Sequence, residues 1–147
     1  MVDSIDRQMQ EFFKKSSSFR AESRGGAYLI WTDDLEDFYI IRNSLIQYGQ
    51  ECEYAHTVED ILKQLDNKKI KTLILNCPSY DSNEECEYKE ECKNSIEIIR
   101  KRDPLLPMIF YTPNPTCLNT IMEKNPRLTP VLKGDLDTLL YVLGLKS

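Results

Sequence analysis

The stretch "KTLILNCPSYDS", residues 71–82, decides how the rest of the chain reads. Thr72 to Leu75 has the pattern of a buried strand, and that strand ends in Asn76. The polar residues that follow it predict a loop. What matters is which other strand ends lie beside Asn76.

Working outward, two signals alternate from Ala27 onward. "AYLIWT" (27–32), "PMIFYT" (107–112) and "LTPVLK" (128–133) repeat the apolar, β-forming run, and "ECEYAHT" (51–57) is a weaker alternating strand. Between them lie helical patterns. In "LEDFYIIRNSLIQYG" (35–49) the residues Leu35, Phe38, Ile41, Leu45 and Tyr48 share one face, and Gly49 stops the helix. "VEDILKQLDN" (58–67) follows Thr57 as N-cap, with Asp60 at the third helical position. "SIEIIRKR" (95–102) stops before Pro104, "TCLNTIMEKN" (116–125) is a short helix, and "DLDTLLYVLGL" (135–145) closes the series. Five strands alternate with five helices, and strands this apolar need cover on both faces. The pattern predicts a three-layer α/β, flavodoxin-like (βα)5 fold around a five-stranded parallel sheet of order 2-1-3-4-5. In that order the ends of strands one, three, four and five are neighbours. Asp33, Asp34, Asn76, Thr112 and Lys133 then converge at one edge, where α/β sheets gather ligands.

Residues 1–26 read differently. "DSIDRQMQEFFKK" spaces Ile5, Met9, Phe12 and Phe13 as one helical face, and "SSSFRAESRGG" reads as a linker. The division is therefore an N-terminal helix or arm with linker (1–26) and a domain over 27–147. The composition suits a soluble globular domain, with 41% hydrophobic and 29% charged residues. A net charge of −5 gives no reason to expect a nucleic acid as partner. No apolar run approaches the roughly 18 residues of a membrane span, and the start lacks a signal-peptide layout, so a cytoplasmic protein is expected. The five cysteines, Cys52, Cys77, Cys86, Cys92 and Cys117, form no CxxC pair, which disfavours a disulfide framework or structural zinc.

The set of strand ends resembles the receiver domain of two-component response regulators, over about residues 27–147. "WTDD" matches the acidic pair after the first strand, "PMIFYT" the hydroxyl-bearing strand end and "TPVLK" the lysine-bearing one. The resemblance implies that Asp33 and Asp34 would hold Mg²⁺ and that Thr112 and Lys133 would face a phosphoryl group. A hard cation wants carboxylate oxygens, and a phosphoryl group wants cationic and hydroxyl partners.

Against that pattern, Asn76 stands where the family carries its phosphoacceptor aspartate. An amide is a poor nucleophile and offers a metal no charge, so Mg²⁺ would bind weakly if at all. Gly134 replaces the proline that usually follows the lysine, Pro130 sits where a switching aromatic is often found, and Pro113 follows Thr112. The segment "SYDSNEECEYKEECKNS" (79–95) reads as a long acidic loop beside the pocket, with Tyr80, Asp81, Glu84, Glu85 and Tyr88 offered to a partner.

The resemblance therefore implies a stand-alone pseudo-receiver, acting in bacterial signalling by phosphorylation-independent protein binding. The chain ends with the last helix, so no attached output domain is expected. The contact surface would be the face of the fourth helix, fifth strand and fifth helix; the sequence does not give the oligomeric state, and a dimer, if there is one, would use that face. The alternative is a sensor holding a cation or small ligand in the degenerate pocket. A metal or redox role for Cys86 and Cys92, within 77–92, is a weaker one. No enzyme is expected: there is no Ser/His/Asp set, Gly-rich phosphate loop or paired-histidine motif, and His56 is the only histidine.

Overall fold

The structure, a computed structural model, describes residues 25–76, 89–113 and 127–146. The strands are β1 (Ala27–Trp31), β2 (Cys52–Ala55), β3 (Ile70–Asn76), β4 (Met108–Thr112) and β5 (Leu128–Leu132). The helices among the described residues are α1 (Leu35–Ile46), α2 (Val58–Asn67), α3 (Lys89–Arg102) and α4 (Leu136–Val142). The predicted fourth helix (116–125), the residues 1–24 of the predicted arm, and Tyr80, Asp81, Glu84, Glu85 and Tyr88 lie outside the described residues.

Every strand pairing is parallel and the order is β2-β1-β3-β4-β5, the flavodoxin-like arrangement the alternation predicts. β3 is central and pairs Leu75 with Trp31 on one side and with Phe110 on the other. The apolar runs are continuous because successive residues feed two different cores. Leu29, Leu73, Leu75 and Phe110 pack toward Ile61 of α2 and Ile96 and Ile99 of α3. Ile30, Ile74, Ile109 and Val131 pack toward Phe38, Ile41 and Leu45 of α1 and Leu139 of α4. Helices therefore cover both faces, α2 and α3 on one and α1 and α4 on the other.

Local signals set the ends of these elements. Thr57 Oγ1 accepts the Asp60 N–H at 3.1 Å while Asp60 Oδ2 accepts the Thr57 N–H at 3.2 Å, a reciprocal cap that starts α2. Gly26 has φ +122°, and a Cβ there would meet the Lys69 carbonyl oxygen at 2.1 Å. Only glycine lets the chain enter the sheet so close to the turn before β3. Pro130 lies in the edge strand β5. Arg127 and Lys133 bond to β4 through their backbones, so odd-numbered residues face β4. Pro130 thus turns its missing N–H to the open edge, where it also blunts pairing with another chain.

Two expectations need correction. α3 begins at Lys89, not near Ser95, so the second half of the segment read as an acidic loop is helix. Cys92 extends the buried stripe of Ser95, Ile96 and Ile99 at helical spacing and packs against that core. On α1 only Phe38, Ile41 and Leu45 are buried. Leu35 is 53% exposed at the first helical position, and Tyr48 lies beyond the helix end.

Candidate functional site

At the C-terminal end of β3, Asn76 is 7% exposed and sits between β1 and the first turns of α1. Its Nδ2 donates to Thr32 Oγ1 and to Asp37 Oδ2, both at 2.9 Å. The acceptor character of the Asp37 carboxylate fixes the amide orientation, since the flipped amide would set two oxygens against each other. Asn76 Oδ1, also buried, finds no hydrogen-bond donor among the described residues.

Lys133, immediately after β5, reaches the same carboxylate. Its Nζ lies 2.9 Å from Asp37 Oδ2, with the two side chains 12% and 18% exposed. One carboxylate oxygen thus joins the end of β3, the end of β5 and the start of α1. Asp37 was not among the residues the strand ends suggested. Its signal is its register: Asp37, Ile41 and Leu45 follow each other at four-residue intervals, and the other two face the core. An acid on a core-facing stripe needs a partner, and here it has an ammonium and an amide.

The acidic pair behaves otherwise. Asp34 is the N-cap of α1: its Oδ1 accepts the N–H of Glu36 at 2.9 Å and that of Asp37 at 3.4 Å. Asp33 is exposed on the β2 side, where it and Asp60 help burial raise the Tyr54 phenol above its ordinary pKa. Thr112 is buried at the end of β4, and its carbonyl accepts the Lys133 N–H at 2.8 Å. Of the residues read from the strand ends, Asn76 and Lys133 are brought together through Asp37. Asp34 joins them through its backbone, whose N–H donates at 3.0 Å to Thr32 Oγ1, the oxygen that also accepts from Asn76, while the Asp33 side chain is exposed.

Gly134 has φ +96°, and its N–H donates to the Tyr111 hydroxyl at 2.7 Å. A proline there could supply neither the positive φ nor the donor. Tyr111 is otherwise packed in the core, and burial is the main reason its phenol titrates above the usual range. A cavity of about 330 Å³ opens beside the ion pair, with Ile40 and Ile41 of α1, Pro113, Gly134 and Leu136 around it.

As a magnesium site the donors fit poorly. Asp37 Oδ2 is shared by an ammonium and an amide, Asp34 Oδ1 is committed to the helix start, and Asn76 brings a neutral oxygen. Among the described residues no group of three or more His, Cys, Asp or Glu is placed to hold a metal. Cys52 packs on the α1 side of the sheet and Cys92 on the α3 side, so these two thiols do not converge. Burial pushes the Cys52 thiol up to about 11, which keeps it protonated and unreactive. No described helix is long and apolar enough to cross a membrane.

No protein-family model matches the chain, and no curated protein sequence does. Solved structures do. The response regulator RcsB of Salmonella typhimurium is matched with a TM-score of 0.62 and 20% identity, over 82% of this chain and 60% of that one. The chemotaxis response regulator CheY4 of Vibrio cholerae is matched with a TM-score of 0.60 and 16% identity, over 80% of this chain and 95% of that one. A de novo designed Rossmann 2x3 protein is matched as well, with a TM-score of 0.54, 16% identity and 78% and 83% coverage. The chain has a receiver-like fold. Identities this low, shared with a designed protein, speak for the architecture alone.

Proposed function

We propose that the chain is a pseudo-receiver: a receiver-like module in bacterial signal transduction that works by binding another protein, without phosphoryl transfer and without catalysis of its own. The observation that supports this most is the Asn76–Asp37–Lys133 contact. The strand-end position that carries the nucleophile in receivers is an amide, and the lysine that would meet a phosphoryl group is drawn to a carboxylate of α1. An amide carries no charge, its nitrogen lone pair is delocalised into the carbonyl and its oxygen is a weak nucleophile, so it is poorly suited to attack on phosphorus. The pocket is held in one state by its own side chains. The surface proposed first for the partner is that of β5 and α4 with the predicted fourth helix. A cytoplasmic location belongs to the same proposal.

Incubation with acetyl phosphate and Mg²⁺, followed by intact mass, is expected to leave the protein at its starting mass. Beryllofluoride is expected to leave its amide NMR spectrum unchanged. A gain of one phosphate mapped to this edge of the sheet would overturn the proposal.

One observation favours a second reading, a cation or small-ligand sensor: the buried Asn76 Oδ1 has no donor among the described residues and is free to coordinate. A cation there would have to draw Asp37 away from Lys133. Trp31 reports on this region, since it ends β1 one residue before Thr32, with its Nε1–H donating to the His56 carbonyl at 3.0 Å. Its emission is expected to stay constant as Mg²⁺ is raised to about 10 mM. A saturable change with a midpoint below about 1 mM would favour the sensor instead.

A further inference from the structure

The outer flank of α1 is apolar where a helix of this layer should be wet. Leu35, Tyr39 and Ile46 are 53%, 52% and 44% exposed. At 100° per residue they fall in one stripe, within about 40° of one another, with the half-buried Arg42 beside them on the same flank, its charge within reach of Cys52. The stripe leans toward the β2 edge, because Phe38, its neighbour on the helix surface, meets the Tyr54 ring at 5.2 Å. β2 is itself poorly covered there: Cys52 and Tyr54 face the α1 side and are only partly buried. The α1–α4 layer therefore stops short of the sheet edge and leaves a strip one helix long.

We propose that residues 4–13 of this same chain cover that strip, with Ile5, Met9, Phe12 and Phe13 against Leu35, Tyr39 and Ile46. The chain's entry point favours this occupant over others. The described chain starts at Gly25–Gly26 and enters β1, the strand beside β2, with Ala27 bonded to the Lys69 carbonyl and Tyr28 to that of Glu51. That edge of the sheet is also where α1 ends, because the chain returns from Ile46 to the start of β2. Residues 14–24, eleven in number, reach at most about 36 Å. The twelve residues of α1 extend about 18 Å, so every point of the stripe is within the linker's reach. The apolar positions from Ile5 to Phe13 repeat at the same four- and seven-residue spacing as the stripe. A tethered segment also has an effective concentration in the millimolar range, which a free partner or a second copy must exceed.

The test uses the full chain and hydrogen–deuterium exchange. The Phe12→Asp/Phe13→Asp variant is expected to raise amide exchange in peptides covering 35–49 about tenfold, while peptides of β3 and β4 stay unchanged. Reciprocally, Tyr39→Lys is expected to raise exchange in residues 4–13, which the wild type protects. Exchange of residues 4–13 at the intrinsic rate in the wild type would overturn the proposal. So would α1 protection that ignores the Phe12/Phe13 substitutions. If that protection instead rises with protein concentration, a second copy covers the strip and the cis assignment fails.

Discussion

Asp37→Ala is expected to destabilise the protein by about 3 kcal/mol, a fall in Tm of about 10 °C. The carboxylate is the common acceptor for Lys133 Nζ and Asn76 Nδ2, both at 2.9 Å and both largely removed from water. Its removal leaves an ammonium and an amide donor short of an acceptor, and the loss is the desolvation cost of those two groups more than the attraction of the pair. The same logic predicts partial rescue. Replacing both ends, as Asp37→Leu with Lys133→Met, removes the charge together with its partner, and the double variant is expected to lie at least about 1 kcal/mol above the sum of the single effects. Urea denaturation of wild type, Asp37→Ala, Asp37→Leu, Lys133→Met and the double variant measures this. A loss below about 0.5 kcal/mol for Asp37→Ala would mean that the pair is screened like a surface ion pair and does not hold the pocket shut.

Why Asp37 escaped the sequence is a matter of geometry. Strand ends are legible because an apolar run stops at an identifiable residue, and Asn76 and Lys133 are found that way. A helix side chain reaches the same edge only through its rotation about the helix axis, and that is fixed by where the helix starts. Asp34 sets the start of α1, which turns Asp37 inward and leaves Asp33 beside Tyr54. The sheet order was legible because β1, β3 and β4 are buried on both faces and parallel neighbours need crossover connections. The start of α3 was not, since Lys89 to Asn94 are polar except for Cys92, and one thiol is a faint continuation of the Ile96–Ile99 stripe. The exposed side of α1 was hidden for the opposite reason. Apolar residues occur almost all round that helix, so the Phe38–Ile41–Leu45 face could be read while Tyr39 and Ile46, outside it, did not stand out as a second one.

Asn76→Asp is expected to act through the same contact with the sign of one group reversed. The introduced carboxylate would stand about 3 Å from Asp37 Oδ2, where like charges repel by about 5 kcal/mol at an effective dielectric constant of 20. Lys133 offsets part of this, and Thr32 can turn its hydroxyl to donate to the new carboxylate. A net loss of about 2 kcal/mol at pH 8 in chelator is expected. The pH dependence has a definite sign. Like-charge crowding raises the pKa of the introduced carboxyl in the folded state above its unfolded value, so the native state holds more protons than the unfolded one. Stability of the variant relative to wild type therefore falls as pH rises from about 5 to 8, and recovers on acidification. A divalent cation should replace the proton. At about 10 mM Mg²⁺ the variant is expected to regain most of the loss at pH 8, because two carboxylates now face one site, while the wild type gains nothing measurable. Rescue of the variant alone would identify the amide of Asn76 as the group that keeps the cation out. A variant as stable as wild type at pH 8 in chelator would show that position 76 does not face Asp37 in solution, and the self-closed pocket would fall with it.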